Sequence, residues 1–112
     1  MNNVCVYCEI EEGKIHEVSF ELLTKGRSLA NQLNVKLEAL IIGANLAGME
    51  KEVSQYGVDV VYMADDNRLY PYTTLPHTAI AVGLFKETQP QIVLMGATSI
   101  GRDLGPRISS SL

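Results

Sequence analysis

The residues best suited to binding chemistry lie in a glycine-rich segment near the carboxyl end of the chain. This segment, residues 96–107, has the sequence GATSIGRDLGPR and follows the apolar run Ile92 to Met95. The pattern predicts a strand, a glycine-rich turn and the start of a helix. In parallel α/β sheets such turns lie at the carboxyl ends of strands, where backbone N–H groups and a helix dipole face a ligand or a partner. The candidate cofactor-binding or interface residues are Gly96, Thr98, Gly101, Arg102, Asp103 and Arg107.

The glycine spacing of this segment matches that of the phosphate-binding P-loop, but its charged residues do not. Gly96 and Gly101 stand at the positions of that loop's two glycines. The P-loop continues with Lys, which points at the terminal phosphates, and with Ser or Thr, which ligates magnesium. Here Arg102 and Asp103 follow, and a carboxylate at this place opposes the phosphate charge. These replacements argue against a nucleoside triphosphatase.

Two cysteines have the spacing of a Cys-x-x-Cys redox or zinc motif. Cys5 and Cys8 lie in a segment typical of a strand, where an odd spacing places two side chains on opposite faces. A redox pair instead lies where a turn leads into a helix, and zinc needs two more ligands that the sequence does not cluster. We therefore predict two reduced, structural cysteines and no metal site.

The other polar residues form no catalytic constellation. His16 and His77 have no second ligand or nucleophile at a suitable spacing, and His77 is expected to be a surface imidazole in the first turn of a helix. No Ser lies in a Gly-x-Ser-x-Gly elbow. The acidic turn with Glu9, Glu11 and Glu12 is either a docking surface or, as is usual for charged turns, solvated. We predict that this chain is not an enzyme by itself.

Composition excludes two classes of partner. The chain has 112 residues, of which 46% are hydrophobic, and a net charge of -4, which fits one domain over residues 1–112 with a single core. An acidic chain without basic runs interleaved with aromatics is not attracted to phosphate backbones, so no nucleic acid is expected. The longest apolar stretch, Ala79 to Phe85, is much shorter than the roughly 20 residues of a membrane span. We expect a cytoplasmic protein without membrane insertion.

Strands and helices alternate along the chain. Apolar runs without polar alternation are typical of parallel strands that are covered on both faces. Four strands are predicted, at Val4–Ile10, Leu37–Ile42, Val58–Met63 and Ile92–Met95. A turn at residues 11–14 is expected to return in a short hairpin through Ile15 and His16. Asp59 makes the third strand a poor candidate for the centre of the sheet. The alternation predicts an α/β fold with a parallel, doubly wound, three-layer sheet.

Three helices are predicted between these strands. The first begins with Ser19 as its N-cap and ends near Asn34, the second is closed by Gly57, and the third is capped by Thr73 or Thr74. Their packing residues recur at helical spacing. These residues are Leu22, Gly26, Leu29 and Leu33 in the first helix, Leu46, Met49 and Val53 in the second, and Ala79, Val82 and Phe85 in the third.

The end of the chain predicts an incomplete sheet. Residues Pro106 to Leu112 are expected to form the first two turns of a final helix, and no fifth strand follows. A helix this short is marginal without packing, and an α/β unit normally returns to its sheet. We therefore expect a sheet that is incomplete at the carboxyl end and a chain that is a fragment of a longer polypeptide.

The chain resembles the amino-terminal domain of the electron transfer flavoprotein alpha subunit. The resemblance is sharpest at Gly96-Ala97-Thr98, at Gly101-Arg102-Asp103-Leu104 and at Pro106-Arg107, which look like that subunit's signature. The segments at residues 56–59 and 90–94 match as well. The resemblance covers essentially the whole chain and implies a Rossmann-like sheet of the adenine nucleotide alpha hydrolase-like type.

The resemblance implies an electron-carrying heterodimer. Family members pair an alpha with a beta subunit and carry electrons on FAD from dehydrogenases, such as the acyl-CoA dehydrogenases of fatty acid beta-oxidation, to a downstream acceptor. Some anaerobic members bifurcate electrons. The FAD is held mainly by a carboxyl-terminal domain that lies beyond Leu112, so this segment is expected to act as a scaffold and to shape the flavin environment. AMP or a second FAD is the nucleotide expected in the partner subunit.

The charges of the signature leave two interpretations open. Arg102, Asp103 and Arg107 favour an ion-pair network at a subunit or domain interface. Direct nucleotide contact is the alternative, because guanidinium groups pair with carboxylates and phosphates alike. Tyr70 and Tyr72 either contact a flavin or a partner or, as is more common, are half-buried covers on a neighbouring helix.

Two other functional hypotheses come from nucleotide-binding proteins. A small adenine-nucleotide-binding module of the universal-stress type would bind ATP phosphates with the loop after the fourth strand, although that family's glycine spacing is not matched here. An ATP pyrophosphatase would need a Ser-Gly-Gly-x-Asp-Ser turn after the first strand, and this sequence has none. The first of these hypotheses remains the main alternative.

Overall fold

A computed structural model describes residues 2–112. The strands are β1 (Val4–Cys8), β2 (Ile10–Glu11), β3 (Lys14–Ile15), β4 (Leu37–Gly43), β5 (Val60–Asp65) and β6 (Ile92–Leu94). The helices are α1 (Glu17–Leu33), α2 (Met49–Ser54), α3 (Thr74–Thr88) and α4 (Ser99–Ser111), with a short 3₁₀ helix at Asn67–Leu69. Four strands form a parallel sheet in the order β5-β4-β1-β6, and β2 and β3 form a separate antiparallel hairpin.

The two central strands separate two apolar cores. Every residue of β1 and β4 is buried, because each strand has a neighbour on both sides and helices on both faces. Alternate side chains point to opposite faces of a strand. Val6 and Ala39 therefore pack on the side of α1 and α2, whereas Leu40 packs on the side of α3 and α4. This arrangement confirms the predicted parallel, doubly wound, three-layer α/β sheet.

The third parallel strand, β5, lies at the edge of the sheet, as Asp59 predicted. The carboxylate of Asp59 accepts hydrogen bonds from the backbone N–H of Leu37 at 2.8 Å and from Nη1 of Arg27 at 3.1 Å. The hydrogen bond from the Leu37 N–H, more than the Arg27 guanidinium, holds the pKa of Asp59 below its ordinary value. Asp59 thus ties the entry of the edge strand to its neighbour, and β5 begins and ends two residues later than predicted.

The first strand is two residues shorter than predicted, because Glu9 leaves the sheet. Its backbone N–H donates to Oγ of Ser19 at 2.9 Å, and its carbonyl accepts from the N–H of His16 at 2.8 Å. The predicted hairpin follows, with Ile10 paired to Ile15. The chain therefore turns sharply at the carboxyl end of β1 and enters α1 directly after the hairpin.

The N-cap of α1 is His16, and the prediction of Ser19 was wrong. Nδ1 of His16 accepts a hydrogen bond from the N–H of Val18 at 3.0 Å. An imidazole nitrogen therefore accepts the capping bond that a serine hydroxyl was expected to accept. Ser19 lies inside the first turn, where its side chain bonds to the end of β1 instead. The buried residues of α1 are Ser19, Leu23, Gly26 and Ala30. Of the predicted stripe only Gly26 is fully buried, and Leu33 is 40% exposed.

Helix α3 begins after Thr73, as predicted, and of its three predicted packing residues only Phe85 is buried. Its buried residues are His77, Ala81 and Phe85. Ala79 is exposed, and Val82 is only partly buried. The apolar residues of this helix lie all round its axis, so the sequence does not single out one face, and the fit to the sheet decides it. The expectation that His77 is a surface residue was wrong for the same reason.

Helix α4 begins at Ser99, seven residues before the predicted start at Pro106. Pro106 lies inside the helix, where its missing N–H leaves the carbonyl of Arg102 without its usual donor. Both residues are on the exposed side, where water can replace that donor. The predicted glycine-rich turn therefore shrinks to residues 95–98, and most of the signature is helical.

The two cysteines are buried in separate cores, as the strand spacing predicted. Burial raises the pKa of the Cys8 thiol to about 12, and burial, with a smaller contribution from Glu38, raises that of Cys5 further. Neither thiol is in the thiolate form that redox exchange and metal binding require.

We expect neither thiol to react with a water-soluble thiol reagent at pH 8 in the native protein, because both are buried and protonated. After unfolding, both thiols should react. A colorimetric thiol titration with and without denaturant measures the difference. Reaction of the native protein at the rate of the unfolded chain would contradict the structural role.

Candidate functional site

The sheet has one topological switch point, between β1 and β6. From β1 the chain proceeds through α1 to β4 on one side, whereas β6 joins on the other side. In open α/β sheets the loops after two such strands diverge, and ligands bind in the crevice between them. Glu9 follows β1 at this point, and residues 95–98 follow β6. The segment singled out from the sequence therefore lies at the position that its pattern predicted.

Thr98 and Glu9 bridge this crevice. Oγ1 of Thr98 accepts from the N–H of Gly101 at 3.0 Å, which makes Thr98 the N-cap of α4. The same hydroxyl donates to Oε1 of Glu9 at 2.5 Å. Glu9 is only 5% exposed, so the expectation of a solvated acidic turn was wrong for this residue, whereas Glu11 and Glu12 are exposed. A carboxylate of the chain itself thus lies at the amino end of α4.

The two signature glycines serve close packing within the chain. A Cβ on Gly101 would overlap the carbonyl oxygen of Gly96, and a Cβ on Gly96 would come to 3.0 Å from Cγ1 of Val18. Both glycines are buried. Their lack of side chains therefore lets α4 and α1 approach the turn after β6, instead of leaving room for a ligand.

Asp103 is the centre of a second set of polar contacts. Its Oδ2 accepts from the hydroxyl of Tyr72 at 2.8 Å and from Oγ1 of Thr74 at 2.9 Å, and its Oδ1 accepts from Nε of Arg107 at 3.0 Å. These bonds, that of Tyr72 first, lower the pKa of Asp103. The bonds from Tyr72 and Thr74 join α4 to the start of α3, whereas the bond from Arg107 lies within α4. Tyr72 is half-buried and held within the chain, whereas Tyr70 is 52% exposed.

Replacing Asp103 by asparagine should make the protein less stable at neutral pH and should flatten its stability at low pH. The folded-state pKa of Asp103 lies below its ordinary value of 3.8. Its stabilising contribution is therefore present above about pH 4 and is lost as the pH falls through the folded-state value. Melting temperatures between about pH 2.5 and pH 7 should show the two proteins converging below about pH 4. The exposed Glu21→Gln variant is the control, and a constant gap between Asp103→Asn and the unchanged protein would contradict this role.

Arg102 stands apart from these contacts. It is exposed, and among residues 2–112 its side chain forms neither a hydrogen bond nor an ion pair, whereas its backbone N–H donates to the carbonyl of Thr98 at 2.9 Å. It borders a shallow groove between β6 and α4 together with Gly105 and Ile108. Of the predicted ion-pair network, the structure brings Asp103 and Arg107 together and leaves Arg102 at the surface.

His77 has a structural setting that the sequence did not indicate. Its Nδ1 lies 2.9 Å from the carbonyl oxygen of Thr73, and its ring packs edge-on against Tyr72 at 4.8 Å between centroids. Burial lowers the pKa of His77, so the neutral imidazole is favoured. It helps to cover the carboxyl edge of the sheet beside β4.

The charged groups at this edge do not fit a nucleotide phosphate. The amino end of α4 already faces the Glu9 carboxylate, and Asp103 is engaged within the chain. In the described part of the chain no three His, Cys, Asp or Glu side chains are grouped so as to hold a metal ion. None of the helices between residues 2 and 112 combines the length and apolar character needed to cross a bilayer.

Comparison with known proteins identifies related chains. The protein is 45% identical over 109 residues to "Protein FixB" of Clostridium saccharobutylicum, an alignment that covers 97% of this chain and 32% of the relative. It is 40% identical over 109 residues to "Electron transfer flavoprotein subunit alpha" of Clostridium acetobutylicum, again with 97% and 32% coverage. It is 38% identical over 110 residues to "Acryloyl-CoA reductase electron transfer subunit beta" of Anaerotignum propionicum, with 98% and 30% coverage.

The family assignment rests on nearly the whole chain. The chain spans about a third of the length of these relatives. A family model described as "Electron transfer flavoprotein domain" matches residues 4–112, a range that contains every strand and helix of the structure. The chain therefore belongs to the electron transfer flavoprotein domain family.

Proposed function

We propose that this chain is the amino-terminal domain of an electron transfer flavoprotein alpha subunit and that it serves as a scaffold in a heterodimer with the beta subunit. The observation that carries the proposal is the family match over residues 4–112, together with relatives of which the chain spans only a third. One of these relatives is named as an alpha subunit. The names differ among relatives, because another is called subunit beta, and the signature around residues 96–107 favours the alpha subunit.

The electron-carrying group in this proposal is FAD, held mainly outside residues 1–112. The carboxyl edge of this sheet has its polar groups engaged within the chain, which supports a role in support and orientation. The flavin would supply the redox step, and this domain would hold the shape of the complex. The electrons would come from a flavin dehydrogenase such as an acyl-CoA dehydrogenase and pass to a downstream acceptor. The domain itself would be an electron-carrier component and not an enzyme.

The nucleotide-binding alternative has less support. A module of the universal-stress type would need an open phosphate site after β6. The side chains of Glu9 and Thr98 occupy that position, and the signature glycines pack against the chain itself. No contact in the described residues favours this alternative.

The intact mass and the visible absorption spectrum of the protein from its natural source test the proposal. We expect a mass well above 12.3 kDa, flavin absorbance and a second subunit that copurifies. A colourless protein of 12.3 kDa would overturn the proposal and favour the nucleotide-binding module. Titration of that protein with AMP and ATP would then be the next measurement.

The exposed surface of α4 is the interface that we propose for this domain. Arg102 is exposed beside the groove along β6, and Arg107 is about half exposed. A guanidinium at an interface rim pairs with partner carboxylates and raises the association rate.

Reversing this charge should therefore weaken assembly. In the full-length heterodimer we expect Arg102→Glu to weaken association with the beta subunit by about tenfold, most strongly at low salt. Lys51→Glu, an equal charge reversal at an exposed position of α2 on the other face of the sheet, is the matched control. Equal affinities for the two variants, measured by titration of fluorescently labelled beta subunit, would remove Arg102 from the interface.

A further inference from the structure

We infer that Glu9 is an internal anion that closes the switch-point crevice to the phosphate groups of nucleotides. The inference goes beyond the proposed function, because it assigns one side chain as the determinant of what this crevice excludes. The residues at the crevice do not fit a bound phosphate, and the structure shows the physical reason.

The amino end of α4 is the attractive element. This helix has 13 residues, and the first-turn amides of a helix have no carbonyl partner within it. Together with the helix dipole, such amides attract an anion. Thr98 satisfies the amide of Gly101 and adds a hydroxyl donor that points across the crevice to Glu9. The site is therefore electrostatically suited to one negative group.

Glu9 is fixed in place from both sides of its peptide backbone. The N–H of Glu9 donates to Oγ of Ser19 at 2.9 Å, and the carbonyl of Glu9 accepts from the N–H of His16 at 2.8 Å. Glu9 is only 5% exposed. Because it is packed on nearly all sides, its carboxylate has little freedom to turn away from Thr98. A phosphate that entered the same space would meet a fixed negative charge and would have to displace a charge-assisted hydrogen bond.

In the loop after β4, backbone N–H groups are also bonded to a carboxylate of the chain. Oδ1 and Oδ2 of Asp65, at the end of β5, accept the backbone N–H groups of Asn45 and Leu46 at 2.9 and 3.1 Å. The amides that follow β4 are thus also satisfied by a carboxylate of the chain. Donors in the loops after β4 and β6 are therefore both bonded to carboxylates of the chain itself.

Removal of the internal carboxylate should open the crevice to an external anion. The test compares Glu9→Ala with Glu11→Ala, which removes an exposed carboxylate from the adjacent hairpin. The melting temperature of each purified protein is measured in sodium phosphate and in sodium chloride at equal ionic strength. Phosphate stabilises many proteins without binding, because it is excluded from their surfaces, so the difference between the two variants is the informative quantity.

We expect phosphate to raise the melting temperature of Glu9→Ala by several degrees more than that of Glu11→Ala, with a saturable dependence on phosphate concentration. The unchanged protein should behave as Glu11→Ala does. Equal responses of all three proteins would overturn the inference, and so would saturable phosphate binding by the unchanged protein.

If Glu9→Ala does not fold in chloride, its refolding yield is compared in phosphate and in chloride at equal ionic strength. If phosphate raises the refolding yield of Glu9→Ala more than that of Glu11→Ala, the inference is supported. If phosphate raises both yields equally, the inference is overturned. The measurement needs neither flavin nor a partner subunit. A negative result would therefore leave the proposed electron-carrier role standing. Likewise, loss of the proposed electron-carrier role would leave this inference about Glu9 standing.

Discussion

The Gly101→Ala variant is expected to lose about 3–5 kcal/mol of folding free energy, with a melting temperature lower by more than about 10 °C. Alanine is normally favoured in a helix by about 1 kcal/mol over glycine, so propensity alone predicts a gain. Here the added Cβ would overlap the carbonyl oxygen of Gly96, and backbone cannot move aside as a flexible side chain can. Relief would require α4 to shift away from the turn, which would separate Thr98 from Glu9.

Gly83→Ala is the matched control for this substitution. Gly83 is exposed within α3, and no atom lies within 4 Å of an added Cβ. We expect Gly83→Ala to be as stable as the unchanged protein or more so. Thermal unfolding followed by circular dichroism measures both variants. If Gly101→Ala were as stable as Gly83→Ala, the close approach of α4 to the turn after β6 would be wrong.

The Leu104→Ala variant should show the second large effect, about 2–5 kcal/mol. Leu104 is fully buried in the core that α3 and α4 share, together with Phe85 and Ile108. Truncation removes apolar contacts and leaves a cavity in a closely packed region. The signature leucine is thus explained by packing, and its loss should act on stability in the isolated chain.

Leu75→Ala is the control for this prediction, because Leu75 is 73% exposed on α3. Its truncation should change the free energy of unfolding by less than about 0.5 kcal/mol. Urea denaturation of both variants gives the comparison. A Leu104→Ala variant as stable as Leu75→Ala would contradict the packing of Leu104 in this core.

The order of strands and helices could be predicted from the sequence because the governing signals are local. Uninterrupted apolar runs marked β1, β4 and β6, and Asp59 marked the edge strand correctly. Gly57 has the predicted left-handed conformation, with φ at 79°, although α2 already ends at Ser54. The spacing of Cys5 and Cys8 was sufficient to place them on opposite faces.

The phase and limits of the helices were less predictable, because tertiary contacts decide them. His77 is buried because α3 has apolar residues around its whole circumference and the sheet selects one side. Pro106 suggested a helix start, since proline is common in the first turn, yet Thr98 provides the cap eight residues earlier. The signal for the true start of α4 was present in the sequence as Thr98, a good N-cap residue. Its hydroxyl accepts a hydrogen bond from the N–H of Gly101, three residues later.

The glycine-rich segment was correctly predicted to lie at the carboxyl end of a strand, but its internal partners could not be predicted from the sequence. Glu9 and Thr98 are 89 residues apart in the chain, and Tyr72 and Asp103 are 31 apart. Neither pairing leaves a local pattern, since only the tertiary fold brings Glu9 to Thr98 and Tyr72 to Asp103. The expected ion-pair network is therefore present only as Asp103 with Arg107, and Arg102 is exposed.

The position of β1 between β4 and β6 has a consequence for synthesis on the ribosome. β1 is the first strand to be made, and its partner β6 pairs Ile92, Val93 and Leu94 with Val4, Cys5 and Val6. Until residues 92–111 have emerged, an entirely apolar strand has an open edge, which is the kind of surface that nascent chains use to aggregate. The long sequence separation of this pairing also slows folding. A nascent chain halted before residue 92 should therefore be the species that most needs a chaperone.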